Sequence, residues 1–122
     1  YYQIKYAEST DGICWNKTGH VCIPLAKGEH NVSRTCVIPQ QNGYESWYGV
    51  NAGKGYRIGH AKSEDGLNWL RRDEEAGISL SESGWDSETQ SYPYVIDCDL
   101  GRFMFYNGNG FGKSGLGIAI YD

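Results

Sequence analysis

Few residues in this chain combine type and position in a way that could do chemistry. Asp86 and Glu88 are carboxylates separated by one residue in a polar stretch. A general acid needs a raised pKa and a second carboxylate across the bond it breaks. Glu88 is the candidate acid, and Asp86 is its nearest candidate partner in sequence. Two residues apart on an extended chain need not converge, and solvated loop acids are the plainer alternative. Arg34 carries a planar, permanently charged donor fork that could clamp a carboxylate or a hydroxyl; a structural ion pair is its alternative. Of the aromatics, most of which must pack the core, Tyr92 and Trp85 are the candidates for stacking on a ligand. His60 lies within a strand pattern and is expected to be a satisfied packing residue.

Other chemistries are missing. No Cys-x-x-Cys pair occurs among Cys14, Cys22, Cys36 and Cys98, so no metal site is expected. Cys36 and Cys98 fall in apolar strand patterns and are expected to be buried thiols, and a Cys14–Cys22 disulfide is an open alternative. Asp97 and Asp99 lack the spaced oxygen ligands of a calcium loop. Neither Gly53-Lys54-Gly55 nor Gly110-Phe111-Gly112-Lys113 precedes a helix, so neither is a phosphate loop. No Gly-x-Ser-x-Gly elbow appears. No cofactor is expected. The chain has 122 residues with 11 basic and 15 acidic side chains, a net charge of −4. That balance argues against nucleic acid, and no basic cluster points to a membrane surface. Apolar runs are too short to span a bilayer. Two Asn-x-Ser/Thr triplets, at Asn16 and Asn31, matter only in a secreted protein. The cysteine pattern fits a reducing, bacterial-type cytoplasm.

The elements that must position these residues are announced by a repeat. Tyr2 to Trp15 aligns without gaps on Tyr56 to Trp69, with Tyr, Ile, Ala, Ser, Asp, Gly and Trp coincident at an offset of 54. Val37-Ile38, Tyr48, Gly59 and Ala61 recur as Val95-Ile96, Tyr106, Gly117 and Ala119 at an offset of 58. Gly is 17 of 122 residues and Tyr plus Trp 14, a profile of many turns between half-buried aromatic strands. The middle unit reads as four strands: 33–39, 44–51, 56–63 and one starting near Trp69. The turns between them are Gln41-Asn42-Gly43, Gly53-Lys54-Gly55 and Asp65-Gly66. A polar crossover over 73–90 leads to strands at 91–96, 102–106 and 116–120. Ser-x-Asp-Gly-x-x-Trp, at Ser9 and again at Ser63, reads as a turn box and fold marker, not a site.

Four-stranded antiparallel meanders at this spacing are β-propeller blades. Phe103-Met104-Phe105-Tyr106 is an unbroken apolar run, as expected of a strand buried on both faces, and Pro93 suits an inner edge strand. The fold class is therefore all-β: an incomplete ring of about two and a quarter blades. Residues 1–32 end one blade, 33–90 form a complete blade with its crossover, and 91–122 form a final partial blade. Rings typically hold about four to eight blades. The remaining blades are expected from the same protein, because the chain starts at the third strand of a blade; other copies of this chain or another chain are the alternatives. In propellers, ligands sit over the central channel, near the starts of the innermost strands. That places His30, Ser33 and Arg34 of one blade, and Asp86, Glu88, Gln90 and Tyr92 of the next, at a candidate site.

Tyr56 to Trp69, Gly84 to Val95 and Phe103 to Gly110 resemble blade motifs of five-bladed propeller glycoside hydrolases: arabinofuranosidases, β-xylosidases and invertase/levansucrase relatives. The resemblance covers nearly the whole chain and implies the C-terminal portion of such a protein. It implies a carbohydrate ligand and three catalytic carboxylates on the inner strands of earlier blades, upstream of this chain. The Asp-Pro usual on those inner strands is replaced here by Arg34-Thr35 and Tyr92-Pro93. The resemblance thus assigns this chain the pocket wall, with Arg34, His30, Gln90, Tyr92 and Trp85 as substrate-binding candidates. A non-catalytic carbohydrate-binding or assembly propeller is the alternative.

Overall fold

The structure is a computed structural model that describes residues 1–122. Nine strands run in chain order: β1 (Ile4–Glu8), β2 (Asn16–Ile23), β3 (Asn31–Gln40), β4 (Gly43–Asn51), β5 (Tyr56–Ser63), β6 (Leu70–Arg71), β7 (Ser91–Cys98), β8 (Gly101–Asn107) and β9 (Leu116–Ile120). They form three antiparallel meanders, β1-β2, β3-β4-β5-β6 and β7-β8-β9. The only helical pieces are a 3₁₀ turn (Asp73–Glu75) and a four-residue turn, α1 (Asn109–Gly112). The fold is all-β and propeller-like, and the sheets do not close a ring. Two boundaries differ from the sequence reading. β3 starts at Asn31 because His30 and Val32 donate to the carbonyls of Asn51 and Tyr2. The fourth strand is only two residues long because the chain folds into the 3₁₀ turn directly after Arg72.

The sheets stack face to face. Trp47, Ile58, Val95, Met104 and Tyr106 fill the space between the second and third sheets. Cys22, Ile23, Val32, Tyr48 and Ala61 fill that between the first and second. Successive side chains of β4, Trp47 and Tyr48, therefore enter different cores, as strand alternation requires. In the third sheet only one face is covered. Met104 and Tyr106 are buried, Phe103 and Phe105 are half-buried, and Leu116, Ile118 and Ile120 are exposed, because no sheet packs on their side. All four cysteines are free thiols. Cys98, expected inside, is exposed because β7 ends there at the hairpin turn. Cys36 joins neighbouring inner strands: Val95 N–H donates to its sulfur (3.3 Å), satisfying a donor on the free edge of β7.

The recurrence at an offset of 58 has a physical cause. Tyr48 lies directly across the β4–β5 ladder from Gly59, and Tyr106 across β8–β9 from Gly117. Each ring folds over the glycine opposite it. A Cβ on Gly59 would sit 2.5 Å from Tyr48 Cε2, and one on Gly117 would sit 2.6 Å from Tyr106 Cζ. The hydroxyl so aimed donates to a carboxylate that follows or precedes the sheet: Tyr48 to Asp73 (2.5 Å), Tyr106 to Asp86 (3.0 Å). Burial is the main reason both phenols titrate high, Tyr106 at about 12.

The recurrence at an offset of 54 is a turn box. Gly66 N–H donates to Ser63 Oγ (2.9 Å), and Leu67 and Asn68 N–H donate to Asp65 Oδ1 (2.8 and 2.7 Å). Ser9 and Asp11 accept from Gly12, Ile13 and Cys14 in the same way. Backbone donors, from Asn68 and Cys14 above all, hold the Asp65 carboxyl well below its usual range and lower that of Asp11 to about 2. Ion pairs tie the sheets laterally. Arg102 of β8 binds Asp97 and reaches across to Glu45 of β4 (2.8 Å) while lying over the Trp47 ring. Arg71 holds Glu29 (2.7 Å) and Asp73. His60 is buried against Trp47, but neither ring nitrogen has a hydrogen-bond partner, so it is packed and not satisfied. Burial lowers its pKa, which keeps it neutral.

Two outcomes follow. Gly59→Ala should destabilise the full chain by about 1–3 kcal/mol through overpacking, and Tyr48→Phe by about 1–2 kcal/mol through loss of a buried hydrogen bond, both read by urea unfolding. The carboxyls of Asp11 and Asp65 are depressed in the fold, so the stability they contribute is present above about pH 4 and lost as pH falls through their folded values. Thermal midpoints measured down to about pH 2 should therefore drop in acid, and an Asp11→Asn/Asp65→Asn variant should start lower at neutral pH and show a shallower acid slope.

Candidate functional site

The inner strands β3 and β7 share a defect at one place. In β3, Ser33 pairs with Gly49 but the next pair is Cys36 with Trp47; in β7, Ser91 pairs with Asn107 and the next pair is Tyr94 with Phe105. Each strand carries one extra residue, a bulge, and bulges re-aim side chains. Arg34 and Tyr92, 58 positions apart, occupy these bulges with φ of 56° and 54°. A non-glycine residue there costs on the order of 1–2 kcal/mol. Pro93 is accommodated because β7 has a free edge there.

Phe111, in the α1 turn between β8 and β9, is the third and last non-glycine residue with positive φ (60°). All three meet. The Arg34 guanidinium carbon lies 5.2 Å from the Tyr92 ring centroid. Tyr92 stands 6.0 Å from Phe111, inclined by 30°, and Phe111 packs edge-on to Tyr56 at 5.8 Å. Tyr92 and Phe111 remain 40% and 59% exposed. Beside them, Arg34, Cys36, Val37, Tyr92, Pro93 and Tyr94 line a groove of about 450 Å³ along the two inner strands. Conformations of this cost cluster where a site over-determines them. A larger hollow of about 640 Å³ lies at the other end of the second sheet, between hairpin turns including Gln41, Asn42 and Glu64, and holds no such residue.

The structure sorts the sequence candidates into three groups. Arg34 and Tyr92 come together in the open. Arg34, for which an ion pair was the alternative, has no carboxylate partner. Asp86, Gln90 and Trp85 gather around Tyr106, the first two buried and Trp85 part-exposed. Asp86 is buried and accepts from Gln90 Nε2 and Tyr106 (3.0 Å each). Hydrogen bonding, from Ser81 first and then Gln90 and Tyr106, lowers its pKa, which suits an ionised anchor and not a proton donor. Gln90 also donates to the Ser79 carbonyl, and its own N–H to that of Tyr56. Trp85 stacks on Tyr106 at 5.6 Å, and a Cβ on Gly108 would fall 2.4 Å from its ring.

Glu88 and His30 stand apart. Glu88 is exposed and its carboxylate makes no hydrogen bond or ion pair. Its N–H donates to Asn109 Oδ1 (2.8 Å) and its carbonyl accepts from Arg57 (2.8 Å), which ties it to the α1 turn beside Phe111. The His30 ring lies edge-on to Tyr1 and against the Gly53 turn. Phe111 and Tyr56 were not singled out in the sequence. The available signal was an aromatic between two glycines, Gly110-Phe111-Gly112, in a turn that had no core to fill. No group of three His, Cys, Asp or Glu side chains is placed to hold a metal ion.

Comparison with known proteins agrees with this architecture. No protein-family model matches the chain. Two uncharacterized Mycobacterium tuberculosis proteins, from separate strains, are each 38% identical over 120 residues; the match covers 98% of this chain and 40% of each relative. The chain thus spans well under half the length of the curated relatives it matches. Among solved structures, Zg3597, a family 117 glycoside hydrolase of the marine bacterium Zobellia galactanivorans, superposes with a TM-score of 0.69 at 17% identity, over 94% of this chain and 41% of that one. The fold is glycoside hydrolase-like.

Relieving the bulge strain gives a direct check. Arg34→Gly and Tyr92→Gly should each change unfolding stability by no more than about 1 kcal/mol, because removing the positive-φ penalty offsets the added chain entropy of glycine. Denaturant midpoints of the two variants measure this.

Proposed function

We propose that this chain is part of a longer glycoside hydrolase-like β-propeller that takes a carbohydrate in the groove along its inner strands. The observation that carries the reading is the convergence of Arg34, Tyr92 and Phe111, the chain's three left-handed non-glycine residues, on one exposed surface of that fold. Aromatic faces bind the apolar faces of sugar rings, and a guanidinium donates to ring substituents. In this reading Arg34 and Tyr92 form the wall of the pocket, while Asp86, Gln90 and Trp85 hold the loop that frames it. His30 lies on the same end of the second sheet and extends the rim. The fold likeness to a glycoside hydrolase and the relatives' greater length support catalytic carboxylates elsewhere in the protein.

Glu88 is the one carboxylate of the proposed rim left unengaged, and it is the candidate general acid of this chain. Asp86 is committed to its hydrogen bonds. That commitment favours a second reading, in which these blades bind sugar and perform no chemistry.

Hydrolysis of a panel of aryl glycosides by the full-length protein separates the two. A turnover that falls at least a hundredfold in Glu88→Gln, with binding retained, assigns Glu88 the acid role. An unchanged rate removes Glu88, and binding without turnover in the parent protein selects the second reading.

A further inference from the structure

We infer that the groove beside Arg34 is a subsite for an acidic sugar unit, whose carboxylate or sulfate oxygens Arg34 takes while Tyr92 and Phe111 take its ring. The inference rests on the carbohydrate reading above and narrows it. Of the other guanidiniums, three are occupied, and that of Arg72, without a partner, lies over no aromatic ring. Arg71 is held by Glu29 and Asp73, Arg102 by Glu45 and Asp97, and Arg57 donates to the carbonyls of Tyr56 and Glu88. Arg34 alone sits over an aromatic ring with no carboxylate or carbonyl accepting from it. A cation over a ring is attracted by the ring's quadrupole, and the Arg34 N–H groups, which make no hydrogen bond within the chain, stay free for a ligand. Those groups form a fork that matches two oxygens of one anion, a geometry that a single hydroxyl does not fill.

The surroundings point the same way. The chain is acidic overall, at −4, yet no acidic side chain approaches Arg34 within ion-pair distance. The backbone holds both Arg34 and Tyr92 at positive φ, where a glycine would be unstrained. A mere wall would not need a charge at a strained position. A site that presents a cation next to a stacking platform does. Phe111 extends that platform from the neighbouring turn, so a ring stacked there would carry its substituent toward the guanidinium.

The test is calorimetric titration of the full-length protein with trigalacturonate, its methyl ester and a sulfated heparin-type disaccharide. The methyl ester keeps the ring and removes the charge. Expected is at least tenfold tighter binding of a charged probe than of the ester, weakening as salt is raised. Arg34→Gln should erase that difference, weakening the charged probes by at least tenfold more than the ester, with the thermal midpoint in place; Tyr92→Gly should weaken charged and ester probes alike. Preference for trigalacturonate names a carboxylate ligand, and preference for the disaccharide names a sulfate. Binding of the ester as tightly as both trigalacturonate and the disaccharide, lowered for all three by Tyr92→Gly, overturns the acidic-sugar inference and leaves the carbohydrate reading standing. Retention of the charge preference in Arg34→Gln also overturns it. No binding of any probe, nor of neutral oligosaccharides, overturns both.

Discussion

The structure depends on a tyrosine lying flat over a glycine on the adjacent strand, with its hydroxyl bonded to a carboxylate from a connecting segment. Tyr48, Gly59 and Asp73 make this unit in the second sheet, and Tyr106, Gly117 and Asp86 make it in the third. The glycine removes a side chain so that the ring can cross the ladder, a known means of rescuing an otherwise weak strand position. The ring then fills space between sheets, and the carboxylate fixes the connecting segment that carries it. A buried hydroxyl would be costly without that acceptor. One interaction thus couples strand pairing, sheet stacking and loop placement, and it explains why Asp86 is engaged with the fold before any ligand arrives.

Strain is placed where the fold can bear it. The bulges of β3 and β7 fall at equivalent points of two inner strands, the first between regular stretches of ladder and the second between the pair Ser91–Asn107 and the regular stretch from Tyr94. Neighbouring pairs such as Ser33 with Gly49 and Cys36 with Trp47 hold the extra residue in its unfavourable conformation. The Cys36 thiol, bonded to Val95 N–H, locks the two inner strands to each other just beyond the bulges. Cooperation of this kind lets a few residues remain off their preferred backbone geometry while the sheet as a whole stays regular.

Much of the fold was legible because its determinants are local and repeated. The turn boxes at Ser9 and Ser63, the Asn-Gly hairpin at 42–43 and the paired Tyr and Gly positions located all nine strands and their grouping into two, four and three. The inner-strand location of Arg34 and Tyr92 followed from that count. The roles of Asp86, Gln90 and Trp85 did not, since whether a polar loop side chain faces water or a buried tyrosine depends on the next sheet's register. Cys98 was misjudged for a related reason: apolar neighbours in sequence do not bury a residue at a strand's last position.

By itself the amino-acid sequence determined the class and the repeat, because turn chemistry and cross-strand periodicity act over a few residues and need no distant partner. Only the tertiary structure decided which side chains share the exposed groove. Arg34, Tyr92 and Phe111 lie up to 77 positions apart, and what unites them is the stacking of two sheets and a positive backbone angle at each. Neither is written in residue type: an arginine, a tyrosine and a phenylalanine give no local sign of left-handed geometry, which only the surrounding ladders impose.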